Sequence, residues 1–290
     1  MYISSACVTH EKIKDSVEEL ALNGFKDIEL SGGTKYYQGY EEDLLRLKER
    51  YNLHYLVHNY FPPPNQDFIL NLASLNDELY QKTLGHYQGA IALSRKLGAR
   101  KFGLHAGFLM DFTAKEIGKD ISWSGLYDKD KAMERFCEGY DRLREAAKDV
   151  ELYIENNVLS SANAQTFQGQ EPFMLMDHRG YVELKDRIDF KLLLDVAHLN
   201  VSAHSLGLDF IGQLDKLLPV SDYVHLSDND GYHDQGRCFC ENSRLLSVLK
   251  EHDFRNKTVT TETYGSVSDI KLSQSIVKRS LQLYTDKAPL

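Results

Sequence analysis

Residues 191–199 read KLLLDVAHL, three leucines running into an aspartate at 195 and a histidine three places on. A short apolar run of this kind suits a strand of a parallel sheet covered on both faces. An ionised carboxylate at its end is costly to desolvate unless a cation or a set of donors compensates it. The pattern recurs on either side: ELYIENNV (151–158) carries Glu155, SDYVHLSDN (221–229) carries His225 and KTVTTETYG (257–265) carries Glu262. Glu155, Asp195, His225 and Glu262 are separated by 40, 30 and 37 positions, one strand–helix repeat each. A closed barrel would aim one such residue from each of four successive strands at a single point above its axis.

The first half of the chain continues the pattern. Strand-like segments begin at Tyr2 (YISSAC), Asp27 (DIELSG), Leu53 (LHYLVHNY) and Lys101 (KFGLHAG), which with the four above makes eight. Amphipathic segments fall between them: one beginning at Ile13, then 40–51, 76–97, 129–148, 210–218, 243–252 and 267–284. Alternation of this kind predicts an α/β fold, a (β/α)8 TIM barrel, and 290 residues suit one such domain over 1–290. The fifth unit is the weak one, because 158–191 opens on a polar Ser/Asn/Gln/Gly-rich stretch that reads as a long loop. The proline-rich FPPPNQDF (61–68) and the segment 109–129, which holds the only tryptophan, Trp123, read as two further loops. All three follow a strand, and in a barrel that end is the catalytic mouth.

Composition narrows the class. The chain is 42% hydrophobic and 27% charged, and no apolar run approaches the roughly 20 residues needed to cross a bilayer. The N-terminal segment lacks a basic, then apolar, secretory pattern, so a cytoplasmic enzyme without a membrane partner is the expectation. Four scattered cysteines without zinc-ribbon spacing predict reduced thiols. A net charge of −9 disfavours long nucleic acid as a partner. A homodimer is the ordinary expectation for a soluble enzyme.

Three carboxylates with one imidazole make an oxygen-rich donor set that suits a divalent metal ion such as Mn²⁺, Mg²⁺, Co²⁺ or Zn²⁺. The competing reading is that each acid caps the helix after its strand. Four residues at corresponding positions favour the metal.

The stretches LVHNY, FGLHAG, YIEN, LDVAHL, VHLSDNDG and TTET, running from the third strand to the eighth, resemble the xylose isomerase-like barrel superfamily. Its members include sugar and sugar-phosphate isomerases and epimerases, inosose dehydratases and the endonuclease IV class of abasic-site nucleases. The resemblance implies Glu155, Asp195, His225 and Glu262 as metal ligands, with Glu155 and Glu262 doubling as catalytic acid and base. It implies a substrate contact for His198, the histidine of a DxxH motif with Asp195. The nuclease pattern adds His58 and His105, and after strand seven a D-x-H pair of which this chain keeps Asp234 but has Gly236 in place of the histidine. His58, His105, His198 and Asp234 are therefore the candidates for a second metal. His58, His105, Asn157, His198 and Arg237 are the candidates for substrate binding, arginine being suited to a phosphate or carboxylate.

The expected function is metal-dependent isomerisation or epimerisation of a small sugar, sugar phosphate or polyol, by proton transfer through a metal-stabilised enediolate. Two alternatives remain open on the sequence: an endonuclease IV-like phosphodiester hydrolase, which the extra histidines favour and the acidity and Gly236 weaken, and a dehydratase of a keto-polyol.

Overall fold

The computed structural model describes residues 1–116, 119–123 and 125–283. Eight parallel strands close into a barrel in sequence order, with β8 returning to β1. They are β1 Tyr2–Ser4, β2 Asp27–Leu30, β3 His54–His58, β4 Lys101–His105, β5 Glu151–Glu155, β6 Lys191–Asp195, β7 Ser221–Leu226 and β8 Thr258–Thr261. Each begins within one residue of its expected start. Around them run α1 Ile13–Leu22, α2 Tyr40–Tyr51, α3 Asp77–Leu97, α4 Lys129–Ala147, α5 Ser161–Phe167, α6 His178–Lys185, α7 Val196–Ser205, α8 Phe210–Leu217, α9 Arg244–Leu249 and α10 Val267–Ser280. The helix expected to reach Tyr284 stops at Ser280, and position 284 lies outside the described residues, as do 117, 118 and 124 of the expected loop 109–129.

Two expectations need correction. The strand read as KLLLDVAHL ends at Asp195, and α7 follows without a loop. Asp195 has an extended backbone and its Oδ1 accepts the His198 N–H at 2.8 Å, so it serves as the N-cap. The stretch read as a long loop, 158–191, contains α5 and α6. Ser160 caps the first, its Oγ accepting the Asn163 N–H, while Phe167 is fully buried. Asp177 caps the second. Polar composition conceals both helices because their stability comes from caps and one-sided burial, not from apolar periodicity.

Period-two alternation along each strand builds the site. Outward residues such as Leu192, Leu194, Val224 and Ile154 pack beneath the helices in the main core. Inward residues Leu56, Tyr153, Leu193 and Tyr223, joined by Tyr2, form a plug inside the barrel. Two positions further along the same strands, on the same face, come His58, Glu155, Asp195 and His225. The ligand-type residues are thus the next layer above a dry plug. Gly103 belongs to the plug's level on β4, where a Cβ would stand 2.7 Å from the His58 ring and 2.8 Å from Leu193, so only glycine leaves the imidazole its place.

One wall of the mouth is a small structure of its own. The segments after β4 and β5 pair through Met174 N to Gly107 O (2.9 Å) and Leu109 N to Pro172 O (2.8 Å). They enclose a second cluster of Met110, Ile121, Leu159, Phe167, Phe173 and Met176. Trp123 leans on Phe167, with 5.5 Å between ring centroids, and is half exposed.

Candidate functional site

Glu155 stands at the centre of the layer. Its Oε2 lies 2.7 Å from His58 Nε2 and 3.4 Å from His105 Nε2. Its Oε1 lies 3.4 Å from His225 Nδ1 and 3.8 Å from His198 Nδ1. His225 Nδ1 is also 3.4 Å from Glu262 Oε2. Ligand atoms of Glu155, Asp195 and His225 lie within 4.8 Å of one another, as do those of His58, His105 and Glu155, and those of Glu29, His225 and Glu262. Glu155, Asp195 and His225 are therefore brought together, Glu262 approaches them through His225 Nδ1, and two further histidines lie on Glu155.

The electrostatics reflect acids and imidazoles crowded out of water. Burial works to raise the Glu155 pKa, but the charges of His105 and His58 and the hydrogen bond from His58 hold it well below the ordinary carboxylate range. Burial likewise opposes ionisation of Glu262, whose pKa His225 nevertheless lowers to about 2. In Asp195 burial wins: desolvation, with the charges of Glu155 and Asp234, raises its pKa to about 7 against the pull of His198. Burial acts to lower the pKa values of His198 and His225, but the surrounding carboxylates raise both well above the ordinary value. For His58, burial is outweighed by Glu155 and the shift is upward, whereas burial lowers His105 to about 4.

The residues fit a divalent cation. Glu155 Oε1 and His225 Nδ1 are buried without a hydrogen-bond partner, facing each other across the gap that Glu262 and Asp195 border. Buried donors and acceptors are seldom left unpaired, and several carboxylates sharing a dry site need compensation. The capping reading holds for Asp195 alone, and there for one oxygen, since Oδ1 caps α7. Ser160 caps α5 after Glu155 and Ser266 caps α10 after Glu262.

Asp195 offers a test of this electrostatic picture. Its folded pKa lies above its ordinary 3.8, so its contribution to stability is complete below about pH 4 and is lost as pH rises to about 7. Asparagine keeps the helix cap and carries no charge. In chelator-treated protein, Asp195→Asn is therefore expected to gain in Tm relative to the native chain between pH 5 and pH 8 (about the window set by these pKa values). Saturating Mn²⁺ should reverse the order at the upper end. A Tm difference independent of pH would contradict it.

The remaining candidates are placed unequally. His198 reaches the site, with Nδ1 on Asn156 O at 2.9 Å and Nε2 3.4 Å from Asp234 Oδ2. Gly236, at φ +55°, has its missing Cβ position 2.5 Å from the Tyr264 ring, so aromatic carbon fills the space a side chain there would need. Of the expected second-metal set, His58 and His105 thus gather on Glu155, while His198 and Asp234 pair to one side. Asn157 does not face the site. Its amide donates to the carbonyls of Ala106, Gly107 and Met174, at 3.1, 3.2 and 2.9 Å, and so ties β5 to the mouth wall. Arg237 is at the rim, its backbone paired with Asp228 and its guanidinium 3.6 Å from Asp230.

Sequence reasoning passed over Glu29. It is wholly buried on the inward face of β2, beside the far nitrogen of His225. The signal was present in DIEL, an acid between two apolar residues, by the reasoning already applied to LLLD. Asn156 was also missed: its side chain clamps β5 to β6, accepting the Asp195 N–H at 2.7 Å and donating to the Asp195 carbonyl at 3.0 Å.

Comparison with known proteins agrees with this architecture. The family model described as xylose isomerase-like TIM barrel matches residues 17–283. Among solved structures, a D-tagatose 3-epimerase-like protein superposes with a TM-score of 0.71 at 19% identity, over 97% of this chain and 97% of its own. D-psicose 3-epimerase from Clostridium cellulolyticum gives 0.61 at 17% identity, over 97% and 95%. Endonuclease IV from Thermus thermophilus gives 0.61 at 16% identity, over 98% of each chain. Likeness at these identities is likeness of fold. No curated protein matches the chain in sequence.

Proposed function

The chain belongs to the xylose isomerase-like TIM barrel family, and from that premise we propose that it is a divalent-metal-dependent isomerase or epimerase of a small sugar or related polyol. The observation that carries this reading is the pair of carboxylates flanking His225 Nδ1, each at 3.4 Å, of which Glu262 is 25% exposed and Glu155 1%. One acid is reachable from the mouth and one is sealed into the ligand layer.

In this reading Glu155, Asp195, His225 and Glu262 hold the ion, which when bound supplies Lewis acidity toward a substrate carbonyl. Glu262, held ionised beside His225, takes the proton from the carbon next to that carbonyl. The C–H electron pair moves into the carbon–carbon bond and negative charge passes to the carbonyl oxygen. Isomerisation returns the proton to the neighbouring carbon while the hydroxyl proton passes to the former carbonyl oxygen; epimerisation needs a proton from the opposite face, the role assigned to Glu155 relaying one from His58, 2.7 Å from its Oε2. His198, kept protonated by Asp195 and Asp234, is a donor for a substrate oxygen.

A phosphodiester hydrolase is the second reading, favoured by the additional His58–His105–Glu155 group. The two separate on one set of samples. With Mn²⁺ or Co²⁺ in D₂O, the native protein is expected to place deuterium beside the carbonyl of at least one ketose in a panel, and to bind about one ion per chain. Absence of exchange, with about three zinc ions bound and cleavage of an abasic-site duplex, would replace the first reading by the second.

A further inference from the structure

Behind the site, on the side away from the mouth, Glu29 occupies the inward face of β2 with no solvent exposure. The Tyr223 hydroxyl donates to its Oε2, and the Thr260 hydroxyl donates to the same oxygen at 2.9 Å. His225, itself wholly buried, presents Nε2 to the carboxylate, 3.0 Å from Oε1 and 3.3 Å from Oε2. On the other side of that ring, Nδ1 faces the gap between Glu155 and Glu262. A carboxylate only accepts hydrogen bonds, so the ring nitrogen against it must carry hydrogen. We propose that Glu29 is the positioning residue of the site: it fixes a proton on His225 Nε2 and thereby turns the Nδ1 lone pair toward the metal.

Two features of the fold make this arrangement specific. Tyr223 precedes His225 by two residues on the same inward face of β7, so one strand supplies both the imidazole and a donor that holds its carboxylate partner. Thr260 of β8 supplies the second donor, which leaves Oε1 turned to the imidazole. A buried carboxylate is expensive to desolvate, and here two hydroxyls and the imidazole converge on Oε2, while the approach of His225 Nε2 to 3.0 Å is the compensation offered to Oε1. A carboxylate behind a ligating histidine fixes ring direction and raises ligand basicity. The inference rests on the metal reading above.

The Glu29→Gln substitution reverses the polarity of one contact while keeping shape. The two hydroxyls donate to the oxygen in the Oε2 place and orient the amide, so its NH₂ takes the Oε1 place and faces His225 Nε2. That nitrogen must then accept, and the hydrogen moves to Nδ1, where it blocks ligation. In chelator competition with the intact chain, Zn²⁺ and Co²⁺ affinity is expected to fall about 10- to 100-fold, with a changed Co²⁺ absorption spectrum. Thr260→Val, which removes one of the two donors and leaves the carboxylate facing His225, should lower affinity by less than Glu29→Gln does. Equal affinity for the native protein and Glu29→Gln overturns the proposal.

A measurement on the native protein decides the matter even if Glu29→Gln does not fold. In Zn²⁺-loaded protein labelled with ¹⁵N-histidine, long-range ¹H–¹⁵N correlation should find hydrogen on His225 Nε2 and zinc on Nδ1. Hydrogen on Nδ1, or a Glu29 carboxylate bound to the ion itself, overturns it. A native chain that takes up neither Zn²⁺ nor Co²⁺ instead sinks the metal reading, and this inference with it.

Discussion

Glu155→Gln is expected to leave a folded barrel that retains no stoichiometric divalent ion after dialysis and turns over its substrate about three orders of magnitude more slowly. Glu155 faces more of the site than any other candidate residue: His58 and His105 lie on one oxygen, His225 and His198 on the other. Glutamine keeps the volume but removes the charge that raises the His58 pKa against burial. It also offers a single acceptor oxygen where the carboxylate offers two, so the His58–His105 side and the His225 side cannot both be served. Metal analysis by mass spectrometry and far-UV circular dichroism check the two halves of this outcome. Native metal content in a folded variant would remove Glu155 from the ligand set.

Glu262→Gln should separate binding from chemistry. Its side chain is the reachable one, with 25% exposure beside the sealed Glu155. The three other proposed ligands remain in place without it. Solvent deuterium exchange into the substrate is therefore expected to fall by about 10²- to 10⁴-fold, the range for loss of a positioned general base. The ion should stay bound, though more weakly. Exchange and metal content are read from one preparation by NMR and elemental analysis. Undiminished exchange would assign the proton transfer elsewhere, Glu155 being next.

These outcomes depend on a layer of side chains that the sequence announced in a specific way. Strands alternate with a period of two, so a residue two places beyond a barrel-filling Leu or Tyr stands one level higher on the same face. Tyr153 leads to Glu155, Leu193 to Asp195 and Tyr223 to His225. That regularity made the quartet readable one strand at a time. Glu29 escapes that rule, because it stands at the level of the plug itself, paired in register with Leu56, and its signal is only that its neighbours Ile28 and Leu30 are buried in the outer core.

Other features follow from contacts between segments distant in the chain. Asn157 is next to the ligand strand and polar, the profile of a substrate contact, yet it is occupied by three carbonyls, two of them about 50 residues earlier. Gly236 reads as a lost ligand, but the space beside it is taken by Tyr264, whose N–H also donates to the Gly236 carbonyl at 2.7 Å. Asp195 reads as either cap or ligand, and its two oxygens divide the question, Oδ1 serving the helix while Oδ2 lies 3.9 Å from His198 Nε2.

The sequence by itself determined the alternation of strands and helices, the starts of the strands within one residue, and the order in which ligand-type residues recur. All three are local, set by hydrophobic periodicity and repeat length along one stretch of chain. Only the tertiary structure decided which polar groups are already engaged and which are left facing the gap. Barrel closure joins β8 to β1 and sets Glu29, from the second strand, against His225, from the seventh, 196 positions away. Hydrogen-bond satisfaction is a property of neighbours in space, and periodicity along the chain does not encode who they will be.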